Sequence, residues 1–232
     1  MRLGTTIDLT RQNGWAAGAP SVQRPAGRYE ISVSKRILDV ALASVALVLL
    51  APVMALIAFL IRLTEGGPVI YAHRRVGTGG AHFDCLKFRT MHPDSAEMLE
   101  EVLRSDPIAR SEWQANYKFD RDHRVTALGN FLRRTSLDEL PQLFNVLRGE
   151  MSLVGPRPVT LSEVSQYGAD FEAVTSVRPG LTGLWQVSGR SETTYEERVA
   201  LDLLYVRSAT IWMDLVILAR TVRIVLLQRG AA

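Results

Sequence analysis

The run Val40–Ile61, VALASVALVLLAPVMALIAFLI, holds 22 residues without a charge and decides what kind of fold this chain can adopt. As one straight helix it would be about 33 Å long, enough to cross a bilayer. Two features count against a crossing. Lys35 and Arg36 precede the run and Arg62, Arg74 and Arg75 follow it, so basic residues flank both ends and give no inside–outside asymmetry. Pro52 sits near the middle, where it removes a backbone hydrogen bond and favours a kink. Broken there, the halves measure about 18 and 14 Å, and neither crosses. The reading is a re-entrant helix-break-helix over residues 34–63 that dips into one leaflet and returns. A single span that tolerates its proline is the competing one.

Upstream, residues 1–33 scatter Gly, Pro, Ser and Arg without a sustained period and read as a flexible arm. The apolar run begins too late for a secretory signal peptide and lacks a small-residue cleavage pattern. Downstream, residues 64–232 are one domain's worth of chain. Six basic and two acidic residues fall within positions 1–36, so the net charge of +3 leaves the remainder about neutral. A nucleic-acid binder carries basic charge over its folded face, and that class is set aside. The single cysteine, Cys85, excludes an intramolecular disulfide and reads as a packed strand residue.

After Gly66-Gly67-Pro68, VIYAHRRVG and AHFDCLKFRTM read as two strands joined at Thr78-Gly79-Gly80. A phosphate-cradling loop is the sharper reading of VGTGG, but no helix follows it as such loops require. Lys87 and Arg89 alternate onto one strand face, to meet an anionic substrate or simply solvent. Ser95–Ser105, 108–119, 161–167 and 195–205 read as helices. RPGLTGLWQVSGR (178–190) is rich in turns, and Trp185 within it either stacks on a base or is buried. Ile211, Leu215, Leu218, Val222 and Val225 recur at helical spacing, marking a core helix or an amphipathic one lying in the membrane interface, the latter favoured by Trp212. The four histidines show no metal-ligand spacing, and no GxSxG nucleophile occurs.

The chemistry concentrates in Arg133–Arg157, RRTSLDELPQLFNVLRGEMSLVGPR. Ser136 and Glu139 have capping-box spacing; alternatively Leu140 is the cap and Pro141 the first helical residue. Either way Asp138 and Glu139 lie at the positive end of a helix. Acidic residues there commonly do no more than complement the dipole. Adjacent positions on a helix point about 100° apart, which suits a division of labour, one carboxylate attacking and the other holding a metal. Arg133, Arg134 and Arg157 would supply forks for phosphate oxygens.

The ordered motifs KRILD, HRRVG, LKFRTM, RVTALGNFLRRTSLDELPQ, GPRPV and RPGLTGLWQVSGR resemble the monotopic bacterial polyprenyl-phosphate phosphoglycosyltransferases, in the hexose-1-phosphate branch that starts exopolysaccharide repeat units. The similarity runs from about Ser34 to the C-terminus. It implies transfer of galactose- or glucose-1-phosphate from a UDP-sugar to undecaprenyl phosphate with release of UMP. It implies Asp138 as nucleophile, Glu139 on Mg²⁺, and Arg133 and Arg157 at the phosphates; Lys87, Arg89, Arg178 and Arg190 complete the expected substrate-binding set. It also implies the re-entrant anchor and residence at the cytoplasmic face of the bacterial inner membrane. Two departures stand out: Ala51 precedes Pro52 where the family has serine, and His123 stands where it usually has proline. The fold expected is α/β-mixed and mostly helical, a monotopic membrane protein with a small β-hairpin and helices gathered at the bilayer surface. The partners are the UDP-sugar, undecaprenyl phosphate and membrane lipid, without nucleic acid and with room for a homodimer. Rival readings are a glycosyltransferase that releases UDP and a membrane-anchored scaffold.

Overall fold

The computed structural model describes residues 32–116, 119, 122–189 and 193–227; the N-terminal arm, up to residue 31, and Arg190 lie outside the described residues. Among these the chain is mostly helical, with two small sheets. Helix α1 (Val33–Glu65) is one 33-residue element, started by Ser32, whose hydroxyl accepts from the Lys35 N–H, and closed by Gly66 at φ 68°. Pro52 lies inside it without interrupting it, so the expected break is not a gap in the helix. A proline deletes one N–H bond, and the turns on either side can carry the helix on.

What α1 touches says more than its length. Lys35, Asp39 and Ala43 near its start and Ile57 and Ile61 near its end are buried. Ala43, Ala46 and Leu47 pack into the main core with Leu143, Val146, Met151 and Ile217. Met54, Ile57, Ala58 and Ile61 pack with Phe88, Leu132, Leu137 and Leu140. One stripe of α1 therefore lies on the folded domain at both ends of the helix. The opposite side exposes Val45, Val48, Leu49, Leu56, Phe59 and Leu63. An apolar surface of that extent marks a membrane or a partner.

The start of α1 is fixed by charge. Lys35 Nζ lies 3.1 Å from Asp39 Oδ1 and 2.8 Å from Asp214 Oδ2, all three side chains 1% exposed or less. Tyr205 donates to Asp214 Oδ1 at 2.8 Å, and Ser152 and the Leu153 N–H donate to Asp39. Arg36 donates to the carbonyls of Val146 and Leu147. Buried ions need this density of partners to offset desolvation.

Strands β1 (Ile70–Val76) and β2 (His82–Phe88) form the expected antiparallel hairpin, Ile70 opposite Phe88 and Val76 opposite His82. Gly79 and Gly80 take positive φ in the connection. Helices α2 (Ser95–Ser105) and α3 (Pro107–Asn116) follow, then α4 (Ala127–Thr135) and α5 (Gln142–Arg148). A parallel pair, β3 (Ser152–Val154) and β4 (Gly180–Thr182), was not legible in the pattern, and α6 (Val164–Tyr167), α7 (Phe171–Thr175) and α8 (Leu184–Ser188) are short. Helices α9 (Tyr195–Ser208) and α10 (Ile211–Leu226) close the fold. On α10 Ile211, Trp212, Leu215 and Val222 are exposed, while Met213, Asp214 and Ile217 are buried and Leu218 packs against the main core.

Candidate active site

The Asp-Glu pair sits in a tighter turn than a helix start. Ser136, at φ 57° and ψ 17°, ends α4, its N–H bonding to Arg133 O. Leu137–Glu139 then form a single 3₁₀ turn, and Pro141, at φ −61°, leads into α5. Ser136 makes no side-chain cap, which corrects the capping-box reading; Pro141 itself takes the cap position before Gln142, one residue later than the alternative with Leu140 as cap places the entrance.

Lys87 brings the two carboxylates together. Its Nζ donates to Glu139 Oε1 at 2.7 Å and stands 3.8 Å from Asp138 Oδ2. The reason it can do so lies on α5. Asn145, fully buried, accepts from the Leu86 N–H at 3.0 Å and donates to Asp84 O at 2.8 Å, extending the edge of β2 with a side-chain amide. That clamp holds the Lys87 segment against the turn that follows α4.

The pair is electrostatically split. Asp138 is 7% exposed, and burial pushes its carboxyl up to about 6; Glu139 raises it further, while Lys87 and Arg133 oppose. For Glu139 burial also disfavours charge, but the Lys87 ammonium, with Arg157 and Arg75 behind it, outweighs burial and holds its pKa below the ordinary value. Two neighbouring carboxylates with opposed shifts are the pattern of divided acid–base or nucleophile–ligand roles.

A cleft opens beside them, lined by Arg75, Lys87, Glu139, Gln142, Arg157 and Gln186 among others. Asp138 is not among the lining residues and joins the cleft through Lys87. Arg157 reaches it from the Gly155–Pro158 turn, whose backbone is tied by Gly155 N–H to Thr182 O and Gly180 N–H to Pro156 O. Gly155 and Gly180 touch backbone to backbone there, with no room for a Cβ on either. Arg133 donates to Thr90 Oγ1 at 2.9 Å and lies in the field of Asp138.

The other expected binders are placed differently. Arg178 donates to Gly149 O at 3.0 Å, stabilising the end of α5, and the Arg89 guanidinium lies against Gly67; neither lines the cleft. Trp185 is 7% exposed, with Arg198 and Arg157 4.9 and 5.8 Å from its ring centroid, so the buried reading describes it and base stacking does not. Cys85 is buried as expected, but its strand position also puts it in the cleft wall. Arg75 was missed. It is 8% exposed in the cleft wall, bonds Pro158 O at 3.2 Å and pairs with Glu163 at 3.5 Å. The signal for it lay in HRRVG, where it alternates with His73 rather than Arg74, on the inner face of β1.

The chain matches the model of the bacterial sugar transferases over residues 30–228. It belongs to that family. Within it, the exopolysaccharide production protein ExoY of Rhizobium meliloti is 49% identical over 208 residues, 90% of either chain. The undecaprenyl-phosphate galactose phosphotransferase of Salmonella typhimurium is 48% identical over 197 residues, 85% of this chain and 41% of that one. The UDP-glucose:undecaprenyl-phosphate glucose-1-phosphate transferase of Caulobacter vibrioides is 41% identical over 218 residues, 88% of this chain and 76% of that one. Against longer sugar transferases such as the Salmonella protein and the UDP-galactose-lipid carrier transferase of Erwinia amylovora, the chain spans about two-fifths of their length.

Proposed function

We propose that this sugar transferase moves a hexose-1-phosphate, galactose or glucose, from a UDP-sugar onto undecaprenyl phosphate, releasing UMP, at the cytoplasmic face of the bacterial inner membrane. The observation that carries the reading is Lys87 held between a buried Asp138 and an ionised Glu139 at the wall of an arginine-lined cleft.

The donor diphosphate lies against Lys87, Arg157 and Arg75, whose charges offset its own. An Asp138 oxygen attacks the sugar-bearing phosphorus; the bond from that phosphorus to the bridging oxygen breaks, and UMP leaves with the electron pair. A lipid-phosphate oxygen then attacks the same phosphorus and Asp138 is released, giving a lipid diphosphosugar. Burial serves this twice, since a desolvated carboxylate is a better nucleophile and water is kept from the acyl phosphate.

Mg²⁺ is compatible with the donor set. Among the described residues no three Asp, Glu, His or Cys side chains gather into an all-protein cage. Magnesium is typically held by one or two carboxylates together with substrate phosphates, and Glu139, kept ionised beside Asp138, offers that. When bound, the ion supplies further charge neutralisation to the transferred phosphoryl group.

The anchor follows from the substrates: one is soluble, and the other arrives only through the bilayer. A re-entrant α1 that enters and leaves on one face is supported by the docking of both its ends on the same folded domain. The exposed apolar residues of α10, Trp212 among them, lie in the interface beside it.

The test is product analysis with a panel of UDP-sugars and undecaprenyl phosphate. UMP release that depends on the lipid, and falls by several orders of magnitude in Asp138→Asn, is the expected result. UDP as product contradicts it in favour of direct glycosyl transfer, and no turnover by the folded protein leaves the scaffold reading.

A further inference from the structure

Gln142 opens α5 in the wall of the cleft and is 3% exposed. Among the described residues its amide makes no hydrogen bond, and neither Oε1 nor Nε2 is sealed off from the cleft. An amide buried without a partner costs stability, and its presence in a binding cleft is explained by a ligand that supplies the partner. The amide is also held in place. Gln142 and Asn145 stand three residues apart on one face of α5, and Asn145 is bonded to the Leu86 N–H at 3.0 Å and to Asp84 O at 2.8 Å. Leu143 and Val146 of the same helix are anchored in the main core.

Chemistry and position select the group it meets. Phosphate oxygens only accept hydrogen bonds, and Arg75, Lys87 and Arg157, in the same wall, are donors with no acceptor atom. An amide both donates and accepts, which matches a group that does both, such as a pair of hydroxyls or the imide edge of a base. Gln142 follows Asp138 through the 3₁₀ turn and Pro141, an advance of about 6–8 Å over four residues. With Asp138 at the sugar-bearing phosphorus, the group within reach of the next turn is the hexose on that phosphate. The uracil lies beyond a second phosphate and a ribose.

We propose that Gln142 is a sugar-contacting residue: its Oε1 accepts from one hydroxyl of the transferred hexose and its Nε2 donates to the neighbouring one. This rests on the transfer reaction proposed above and adds a hexose subsite to it. The contact sets the sugar, and with it the attached phosphorus, against Asp138. It also makes the site selective. A donor that lacks the matched hydroxyl leaves one end of a buried amide unsatisfied, which penalises it beyond the loss of a solvent-exposed hydrogen bond.

The test is steady-state UMP release by the full chain in lipid nanodiscs, with thermal midpoints for each variant. The donors are the preferred UDP-hexose and its analogues deoxygenated singly at positions 2, 3, 4 and 6. In the wild type, removal of one or two neighbouring hydroxyls lowers kcat/KM about 10- to 100-fold. In Gln142→Met that penalty shrinks to within about twofold, while the penalties at the other positions keep their size, as groups without a shared partner do. Gln142→Asn, which draws the amide back by one carbon, loses the same penalty and decides the matter if Gln142→Met fails to fold. Penalties that survive unchanged in the variants overturn the proposal, as does a uniform loss over all donors or a wild type indifferent to every deoxygenation. Any of these leaves the transfer reaction standing so long as the wild type releases UMP. Release of UDP by the wild type removes both.

Discussion

Lys87 donates to Glu139 Oε1 at 2.7 Å, and this contact organises the whole acidic turn. The same ammonium, 3.8 Å from Asp138, is the nearest cation opposing that residue's burial. Replacing it with an uncharged chain therefore moves the Asp138 pKa further upward. Asp138 must be ionised to attack, so activity is lost as pH falls through its pKa. Lys87→Met shifts that acid limb to higher pH and lowers kcat/KM by about 10²-fold, as removal of one charged donor at a reacting phosphate does. The pH profile of UMP release checks this, and an unmoved acid limb contradicts it.

Asp138 also carries a stability cost whose sign is fixed. Its folded pKa is raised to about 6 from 3.8, so between those values the folded protein holds the extra proton, and stability from this group falls as pH rises through that window. In metal-free protein at pH above that window, Asp138→Asn is more stable than the wild type by up to about 3 kcal/mol. The difference vanishes below about pH 4, where both states are protonated. Denaturant titrations at two pH values read it out.

Ser136 is the one described non-glycine residue with positive φ. The left-handed region costs an L-residue about 1–2 kcal/mol, and glycine adopts it freely. Ser136→Gly raises the thermal midpoint and keeps transfer activity, whereas a β-branched Ser136→Val lowers it by the equivalent of about 1–2 kcal/mol. A destabilised glycine variant would show that the serine side chain is itself needed.

The Lys35–Asp214 contact makes the attachment of α1 testable. Lys35→Met leaves Asp39 and Asp214 buried without their cation, at a cost of about 3–5 kcal/mol. Limited proteolysis in detergent is expected to release the α1 end before the rest unfolds. Unchanged protection would mean that packing of Ala43 and Leu47 holds α1 alone.

The hairpin and helix α2 were legible because their signals are local: paired glycines at a turn, and acidic periodicity over Ser95–Ser105. The Asp-Glu pair and its arginines were legible as residue types, but their geometry was not. Ser136 in a left-handed conformation leaves no mark distinguishing it from a cap, and Asn145 clamps a strand edge that comes from 59 residues away. Arg178 reads in the sequence as a ligand for phosphate, and its Nε donates to a helix carbonyl, a contact that only tertiary structure reveals. On α10 the helical period was right, and it serves two faces: Ile211, Leu215 and Val222 are exposed, whereas Met213 and Ile217 pack in the core beside the buried Asp214.

Covalent trapping tests the central claim most directly. The full chain is incubated with UDP-sugar and Mg²⁺ in the absence of lipid phosphate, quenched, digested and analysed by mass spectrometry. The account predicts a peptide spanning Arg134–Arg148 heavier by one hexose phosphate, with the addition on Asp138 and absent from Asp138→Asn. A protein that turns over with lipid present yet never carries that addition, or carries it on another residue, contradicts the account.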